Sequence, residues 1–257
     1  MRHVAIMLLL LAGQAVPKPA FEVASIKRNT SLDQRGDMGD QPGGRFHAVN
    51  APGLWLVATA YGPAGEFRLP LFDSQIIGAP GWLESEHYDI TAKVGDDLAS
   101  KPGEAYRQSA ALLQSLLEDR FALRTHHETR QLPIYTLVRL KKDGPLGRGL
   151  TRSSTDCQKE SSHCGFDGGF GRATATSVTV DTLSLLLSSA AERVVVNRTG
   201  LTGRFDVELE WSPEQGVATD KPSIFTAVQE QLSLKLEPGR GPVDVLVIDR
   251  VARPTED

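Results

Sequence analysis

Apolar and polar positions along the chain follow two periods, one typical of strands and one typical of helices. Residues 21–26 and 88–94 alternate between apolar and polar side chains, as half-buried strands do. Residues 105–120 and 180–191 place apolar side chains three or four positions apart, as helices that pack on a core do. The mixture of short strands and amphipathic helices predicts an α+β fold, with the helices packed on small mixed sheets.

The order of these predicted elements occurs twice. The strand that begins with Gly44-Arg45 has a counterpart that begins with Gly171-Arg172, and each is followed by a helix, two strands and a second helix. The repeat predicts two tandem related β-α-β-β-α-β-β domains, and chance similarity between two α+β segments is the alternative. A strand pair is expected to close each half: 121–129 with 133–141, and 234–236 with 243–249.

Composition shifts along the chain set the predicted boundaries. Residues 1–15 combine Arg2, an apolar run and a small-residue cleavage site, which predicts a secretory signal peptide; a buried N-terminal helix is the alternative. The first α+β domain is expected at 21–142 and the second at 171–253, with a Gly/Ser-rich linker at 143–170 between them. The leader predicts an exported protein, periplasmic or extracellular.

Charge and composition exclude several classes of protein. The chain has 28 Lys and Arg against 32 Asp and Glu, a formal net charge of −4, which argues against a nucleic-acid partner held by a basic surface. Only 6% of the residues are aromatic, which argues against rows of rings that stack on single-stranded nucleic acid. No segment after the leader is apolar over the roughly 20 residues that a spanning helix needs, so no membrane span is expected.

The sequence holds two cysteines, Cys157 and Cys164, close together in the predicted linker. In an oxidising compartment such a pair predicts a disulfide. A structural zinc ion needs four ligands, and only His163 lies nearby, so no metal site is expected there. No cofactor is expected either.

The densest cluster of titratable side chains is His126, His127 and Glu128. On a strand, His126 and Glu128 point to one face and His127 to the other. Together with His87 before the matching strand, the first two are candidates for an acid–base pair or for metal ligands. The alternative is the polar outer face of a hairpin, on which Glu128 pairs with a neighbouring arginine.

The turn at 197–203 reads Asn-Arg-Thr-Gly-Leu-Thr-Gly. Its glycines suit left-handed backbone, and the side chains of Asn197 and Thr199 can close the turn by hydrogen bonds. Arg198 and Arg204 are candidate contacts to an acidic partner or a carboxylate. A purely structural turn is the alternative.

Longer motifs carry two resemblances. The second half, from VTVDTLSLLLSSAAERVVVNRTGLTGRFDVELEW to VLVIDRV, resembles the secretin and TonB short N-terminal domain, with Ser233 where that family often has Gly. Across both halves, FEVASIK, GAPGWLESEHYDITAK, RTGLTGRFD and VLVIDRVARP are similar to an exported family of unknown function that is expanded in soil acidobacteria. That family usually has Asp at the position of Asn197, and no catalytic residues are established for it.

The resemblance to short N-terminal domains implies partner recognition and assembly. We therefore expect an exported, non-catalytic binding or assembly module of the cell envelope or exterior, with a protein partner. One alternative is a hydrolase, metal-assisted or acid–base, that uses the His126 and Glu128 cluster. The other is a sensor domain for an envelope regulator.

Overall fold

The structure is a computed structural model of the chain. It describes residues 18–31, 35–63, 69–157, 164–169, 171–213 and 220–255, with the backbone alone at 102–106. The predicted leader at 1–15 lies outside the described residues, as does His163. Within the described ranges, no helix is long and apolar enough to cross a membrane.

Strands and helices are mixed along the chain, which confirms the predicted α+β fold. The elements of the first half are β1 (Val23–Asn29), β2 (Asp37–Gln41), β3 (Arg45–Pro52), α1 (Gly53–Ala60), a 3₁₀ turn η1 (Asp73–Gln75), β4 (Ile76–Ile77), α2 (Trp82–Ser85), β5 (His87–Lys93), α3 (Asp96–Ala99), α4 (Pro102–Arg120) and β6 (Arg124–Arg139). Those of the second half are β7 (Leu150–Arg152), β8 (Gly165–Gly169), β9 (Arg172–Val178), α5 (Val180–Ala190), β10 (Val195–Asn197), β11 (Phe205–Glu210), α6 (Ile224–Leu232) and β12 (Leu234–Arg250).

Within the described residues, the strands form three four-stranded sheets. The first sheet has the order β1-β5-β3-β2 and comes entirely from the first half, and the third has the corresponding order β7-β11-β9-β8 from the second half. The middle sheet, β10-β6-β12-β4, takes two strands from each half. In it, β4 runs parallel to β12 and β10 runs parallel to β6, so each half adds a short strand to the long strand of the other.

The two strand pairs that the sequence predicted at the end of each half are wrong. Residues 124–139 form one continuous strand and residues 234–250 form another, and these two strands pair antiparallel with each other along almost their whole length. Pro133, at which a predicted strand began, and Pro242, which precedes another, both lie inside a long strand. The long strands therefore join the two halves instead of closing each half separately.

Two main hydrophobic cores hold the helices against the sheets. The first core contains buried side chains of α1, α4 and the end of β12, and the second contains those of α5, α6 and the start of β12. Both helices of the second half begin at side-chain caps, where Thr179 accepts from the Thr182 amide and Ser223 accepts from the Thr226 amide. β12 therefore contributes to both cores, one at each end of the strand.

Left-handed backbone recurs at matching positions in the two halves. Gly44 precedes β3 and Gly171 precedes β9, and both have positive φ. Asn50 and Ser177 also have positive φ, and they are as far apart in sequence as the two glycines are. The range 143–170, expected as a linker, contributes β7 and β8 to the third sheet. The predicted boundaries of two tandem domains stay a prediction, since the middle sheet belongs to both halves.

Candidate functional site

The predicted disulfide between Cys157 and Cys164 is confirmed, with 5.7 Å between the two Cα atoms. It lies between β7 and β8, the outer strands on opposite sides of the third sheet. The bond restricts the chain that connects these two strands, and such a restriction lowers the entropy of the unfolded state. The position of the bond supports a structural role.

The turn at 197–203 closes through the side chains that the sequence indicated. The Asn197 amide oxygen accepts from the backbone and the hydroxyl of Thr199 at 3.0 and 2.8 Å, and the Thr199 hydroxyl accepts from the Leu201 amide at 3.1 Å. The backbone amide of Arg198 donates to the Leu137 carbonyl of β6. Arg198 itself is exposed. A partner contact by Arg198 stays a prediction.

His87 lies in the first sheet and supports a β-bulge there. The bulge is at Asn50, a left-handed residue at which the register of β3 against β5 shifts. Its backbone amide donates to the Asp89 carboxylate at 2.8 Å, and His87 Nδ1 lies 3.1 Å from its carbonyl oxygen and 2.9 Å from its amide oxygen. The contacts of His87 thus hold a strained backbone position.

The second half repeats this arrangement at Ser177. This left-handed residue donates its backbone amide to the Asp206 carboxylate at 2.9 Å, and its carbonyl accepts from the Arg204 guanidinium. Arg204 therefore does at Ser177 what His87 does at Asn50. Both are candidate site residues from the sequence, and both have local structural contacts; a catalytic role for His87 and a partner contact by Arg204 stay predictions.

His126 is in the middle sheet, on the face that points away from the helices. Its Nδ1 lies 2.9 Å from a carboxylate oxygen of Asp249, and its Nε2 lies 3.1 Å from Glu128, which also accepts from Arg130 at 2.9 Å. The hydrogen bonds that His126 makes to Asp249 and then to Glu128 raise the pKa of His126, and the bond from His126 lowers the pKa of Glu128. The alternative prediction, a polar outer face of a hairpin, expected Glu128 to pair with a neighbouring arginine, as it does with Arg130.

A lysine takes the corresponding place on the other long strand. The same spacing separates His126 from Pro133 in β6 and Lys235 from Pro242 in β12. Lys235 Nζ binds a carboxylate oxygen of Glu237 at 3.1 Å, as His126 Nε2 binds Glu128. Two exposed cation–carboxylate pairs at corresponding positions are typical of solvated strand faces.

The structure does not bring His87 to the His126 pair. His87 contacts Asn50 in the first sheet, whereas the contacts of His126 are with Asp249 and Glu128 on the middle sheet. In the part of the chain that the structure describes, no group of three or more His, Cys, Asp or Glu side chains is placed to hold a metal ion.

A buried carboxylate, Glu86, ties the end of the described chain to the first half. It is 8% exposed and accepts from Nε and Nη2 of Arg253 at 2.9 and 2.8 Å, while Tyr88 donates its hydroxyl at 3.1 Å. The Arg253 guanidinium lies 5.1 Å from the centre of the Trp82 ring. These bonds, first that from Arg253, lower the pKa of Glu86, and burial together with Glu86 raises the pKa of Tyr88 to about 12.

A concavity lined by both halves lies on the helix-side face of the middle sheet. We call it the seam groove; it has a volume of about 530 Å³. Side chains from both halves form its apolar wall: Tyr61, Leu71 and Phe72, then Leu185, Val194 and Leu246. Its polar groups are Gln75, Gln114, His127, Ser188, Ser189 and Asp244. Small-molecule sites have this size and this mixture of apolar wall and few polar groups.

The strand register places His127 in the groove and His126 outside it. His127 stands opposite Leu246, and side chains of neighbouring residues on a strand point to opposite faces. His127 Nδ1 lies 2.8 Å from a carboxylate oxygen of Asp244, and both side chains are more than half exposed. Leu246, which shares this face, is fully buried in the first core.

Sequence reasoning missed most of this groove. It noted His127 only as the residue that points away from the His126 face, and it did not consider Gln75 or Gln114. One signal was available for Asp244, because this acid interrupts an otherwise apolar run at 243–248. The partner of that acid was not readable, since β6 and β12 are far apart in sequence.

Comparison with known families identifies the chain. A family model described as a protein of unknown function (DUF3738) matches residues 56–251. The matched range includes both long strands and the whole described wall of the seam groove. Comparisons with curated proteins and with solved structures gave no match. The chain belongs to the DUF3738 family, a family of unknown function.

Proposed function

We propose that this protein is an exported, non-catalytic binding module of the cell envelope or exterior, and that the seam groove is its binding site. The signal-peptide pattern at 1–15 and the Cys157–Cys164 disulfide support export. The resemblance to secretin and TonB short N-terminal domains, and to an exported family expanded in soil acidobacteria, supports partner recognition. A protein partner in the envelope or exterior belongs to this proposal.

One observation carries the binding function: two halves of the chain jointly build one concave surface. Neither half contains the groove by itself, because Leu71 and Phe72 come from the first half and Leu185 and Val194 from the second. Ligand sites occur preferentially at such junctions. The floor of the seam groove is the middle sheet, which takes strands from both halves. This shared sheet connects the two walls of the groove.

A groove-filling variant tests the proposal. Ser189 is exposed on α5 and lines the groove, so Ser189→Trp fills the groove without disturbing a core. Ser31→Trp is the matched control, at an exposed position outside the groove. We expect saturation-transfer NMR to detect tryptophol, a neutral probe with an apolar ring, on the wild type and on the Ser31 variant but not on the Ser189 variant. No binding to the wild type, or equal binding to all three proteins, would refute the groove as the site.

Export is tested separately from binding. The full chain and a chain without residues 1–15 are expressed in a Gram-negative host, and cell fractions are analysed by mass spectrometry. We expect the full chain in the periplasm or the medium, cleaved and with the disulfide formed, and the shortened chain in the cytoplasm with free thiols. An uncleaved full chain in the cytoplasm contradicts this part of the proposal.

An acid–base hydrolase is the second candidate, and the His127–Asp244 pair favours it. A carboxylate that holds Nδ1 of an imidazole leaves Nε2 as a base, and here that atom belongs to a groove. A panel of esters, lactones and peptides tests this candidate on the wild type, His127→Ala and His126→Ala. Turnover lost only in His127→Ala supports catalysis in the groove. Turnover lost only in His126→Ala supports catalysis by His126 and Glu128. If the wild type turns over none of the substrates, the hydrolase candidate is removed.

A further inference from the structure

We infer that the ligand of the seam groove carries a cationic amine on an apolar body. This inference rests on the proposed function, because it names the chemical class that the proposed site would take. It follows from the charges, the hydrogen-bonding groups and the walls of the groove.

Charge is the first argument. Among the described side chains that line the groove, Asp244 is the single acidic or basic residue apart from His127, and no Lys or Arg is present. The Asp244 side chain is 68% exposed, so its carboxylate faces solvent in the groove and not the protein interior. A positive group on a ligand meets the negative charge of Asp244 there, and a negative group meets repulsion.

The groove contains three hydrogen-bond acceptors that a ligand could use. Asp244 accepts from His127 Nδ1, and in the tautomer with the proton on Nδ1 the Nε2 atom is an acceptor. The other carboxylate oxygen of Asp244 is a further acceptor. Gln114 uses its amide nitrogen to donate to the Ala60 carbonyl, which leaves its amide oxygen as a third acceptor. A primary ammonium group has three donors and no acceptor, and therefore complements this set.

Gln75 fixes the position of the acid. Its amide nitrogen donates to the backbone carbonyl of Asp244 at 3.2 Å, and its amide oxygen accepts from the Phe72 amide at 3.2 Å. Both polar ends of Gln75 are thus used within the protein. The Asp244 backbone is held between this bond and the pairing with β6, so the carboxylate is positioned before a ligand arrives.

The wall beside the acid selects the rest of the ligand. Leu71, Phe72, Leu185 and Val194 offer apolar surface within the same groove. A volume of about 530 Å³ accommodates an aromatic ring system or a short branched chain. The ligand class is therefore an amphiphile with one apolar body and one amine, such as an aryl alkylamine.

Three probes with the same indole body test this inference: tryptamine, tryptophol and indole-3-propionate. Their affinities are measured by isothermal titration calorimetry on the wild type, Asp244→Asn and the control Asp249→Asn. Asp249 binds a histidine on the opposite face of the same sheet and is also about half exposed, so it controls for loss of charge alone.

We expect the wild type and the Asp249 variant to bind tryptamine at least about tenfold more tightly than tryptophol, with indole-3-propionate weakest. In Asp244→Asn, tryptamine should fall to the affinity of tryptophol, while tryptophol itself changes little. Equal affinity of the three probes for the wild type overturns the amine preference and leaves the binding function standing. A preference that persists in Asp244→Asn overturns the role of this acid, and absence of binding by all three probes overturns the proposed function itself.

Discussion

Two consecutive histidines of β6 make closely similar contacts on opposite faces of the middle sheet. His127 Nδ1 lies 2.8 Å from Asp244 on the groove face, and His126 Nδ1 lies 2.9 Å from Asp249 on the outer face. Each imidazole is about half exposed, and each partner is a carboxylate on β12. The chemistry of the two pairs is the same, so any difference in function comes from their surroundings.

Those surroundings differ in two respects. The outer pair has further charged neighbours, because Glu128 binds the second nitrogen of His126 and Arg130 binds Glu128. The groove pair lies in a concavity instead, and the second nitrogen of His127 has no partner among the described residues. A histidine with both nitrogens occupied is part of a surface network, whereas one with a free nitrogen in a concavity is available to a ligand.

The largest expected effect concerns packing below the groove. Leu246 is fully buried opposite His127, so Leu246→Ala should lower the free energy of unfolding by about 2–5 kcal/mol through lost burial and a cavity. The comparison is Val247→Ala, opposite His126 on the partly exposed outer face, which should cost clearly less. Urea unfolding followed by circular dichroism measures both. Equal losses would show that the two faces are packed alike.

The next effect concerns ligand affinity. His127→Ala removes an acceptor from the groove, so tryptamine should bind about tenfold more weakly, the scale of one hydrogen bond to a charged group. His126→Ala is the matched control and should leave the affinity unchanged. Calorimetric titration of the two variants measures this difference. A similar loss in both variants would indicate an effect through the strand and not through the groove.

The third effect is the pH dependence of the outer pair. The folded protein raises the pKa of His126 above its ordinary value of 6.5, so the stabilisation by protonated His126 is complete below that pH and is lost as the pH rises through the raised pKa. Folding lowers the pKa of Glu128 below its ordinary value of 4.5. The stabilisation by ionised Glu128 is therefore present above pH 4.5 and is lost as the pH falls through the lowered pKa. Both contributions coexist between these ordinary values.

His126→Ala reveals this window in thermal unfolding. The variant should have a lower Tm than the wild type at about pH 6, and the difference should shrink as the pH rises through the raised pKa of His126. A Tm difference that is constant from pH 6 to pH 9 would show that the histidine stabilises the strand by packing alone.

The smallest effect concerns the lysine pair at the corresponding position of β12. Lys235 and Glu237 are both substantially exposed, so Lys235→Ala should change the free energy of unfolding by at most about 1 kcal/mol. The change should diminish in high salt because the pair is screened. Urea unfolding at low and high sodium chloride measures it. A larger, salt-insensitive loss would contradict the view of the outer face as a solvated surface.

Local features were predictable from the sequence because their causes are local. The periods of apolar residues correctly indicated α5 at 180–190 and β5 at 87–93. The two close cysteines correctly indicated the disulfide, and Asn197 with Thr199 correctly indicated the closure of their turn. In each case the interacting groups are a few residues apart, so spacing and residue type were sufficient.

Pairing between distant segments was not predictable in the same way. Two strands were predicted at 121–129 and 133–141, but Pro133 lies opposite Arg240 in a long strand pair that only the approach of the two halves creates. The candidate site shifted for the same reason. His126 and Glu128 drew attention because they are adjacent in sequence, whereas His127 has its partner, Asp244, more than a hundred residues away.

The sequence by itself determined α5, β5, the disulfide and the polar turn, because short-range periodicity and side-chain chemistry specify these features. It also determined that β6 would present His126 and His127 to opposite sides, since side chains alternate along any strand. Only the tertiary structure decided which side is concave. That choice depends on both sets of helices packing on the same face of a shared sheet, a contact between halves that no local pattern encodes.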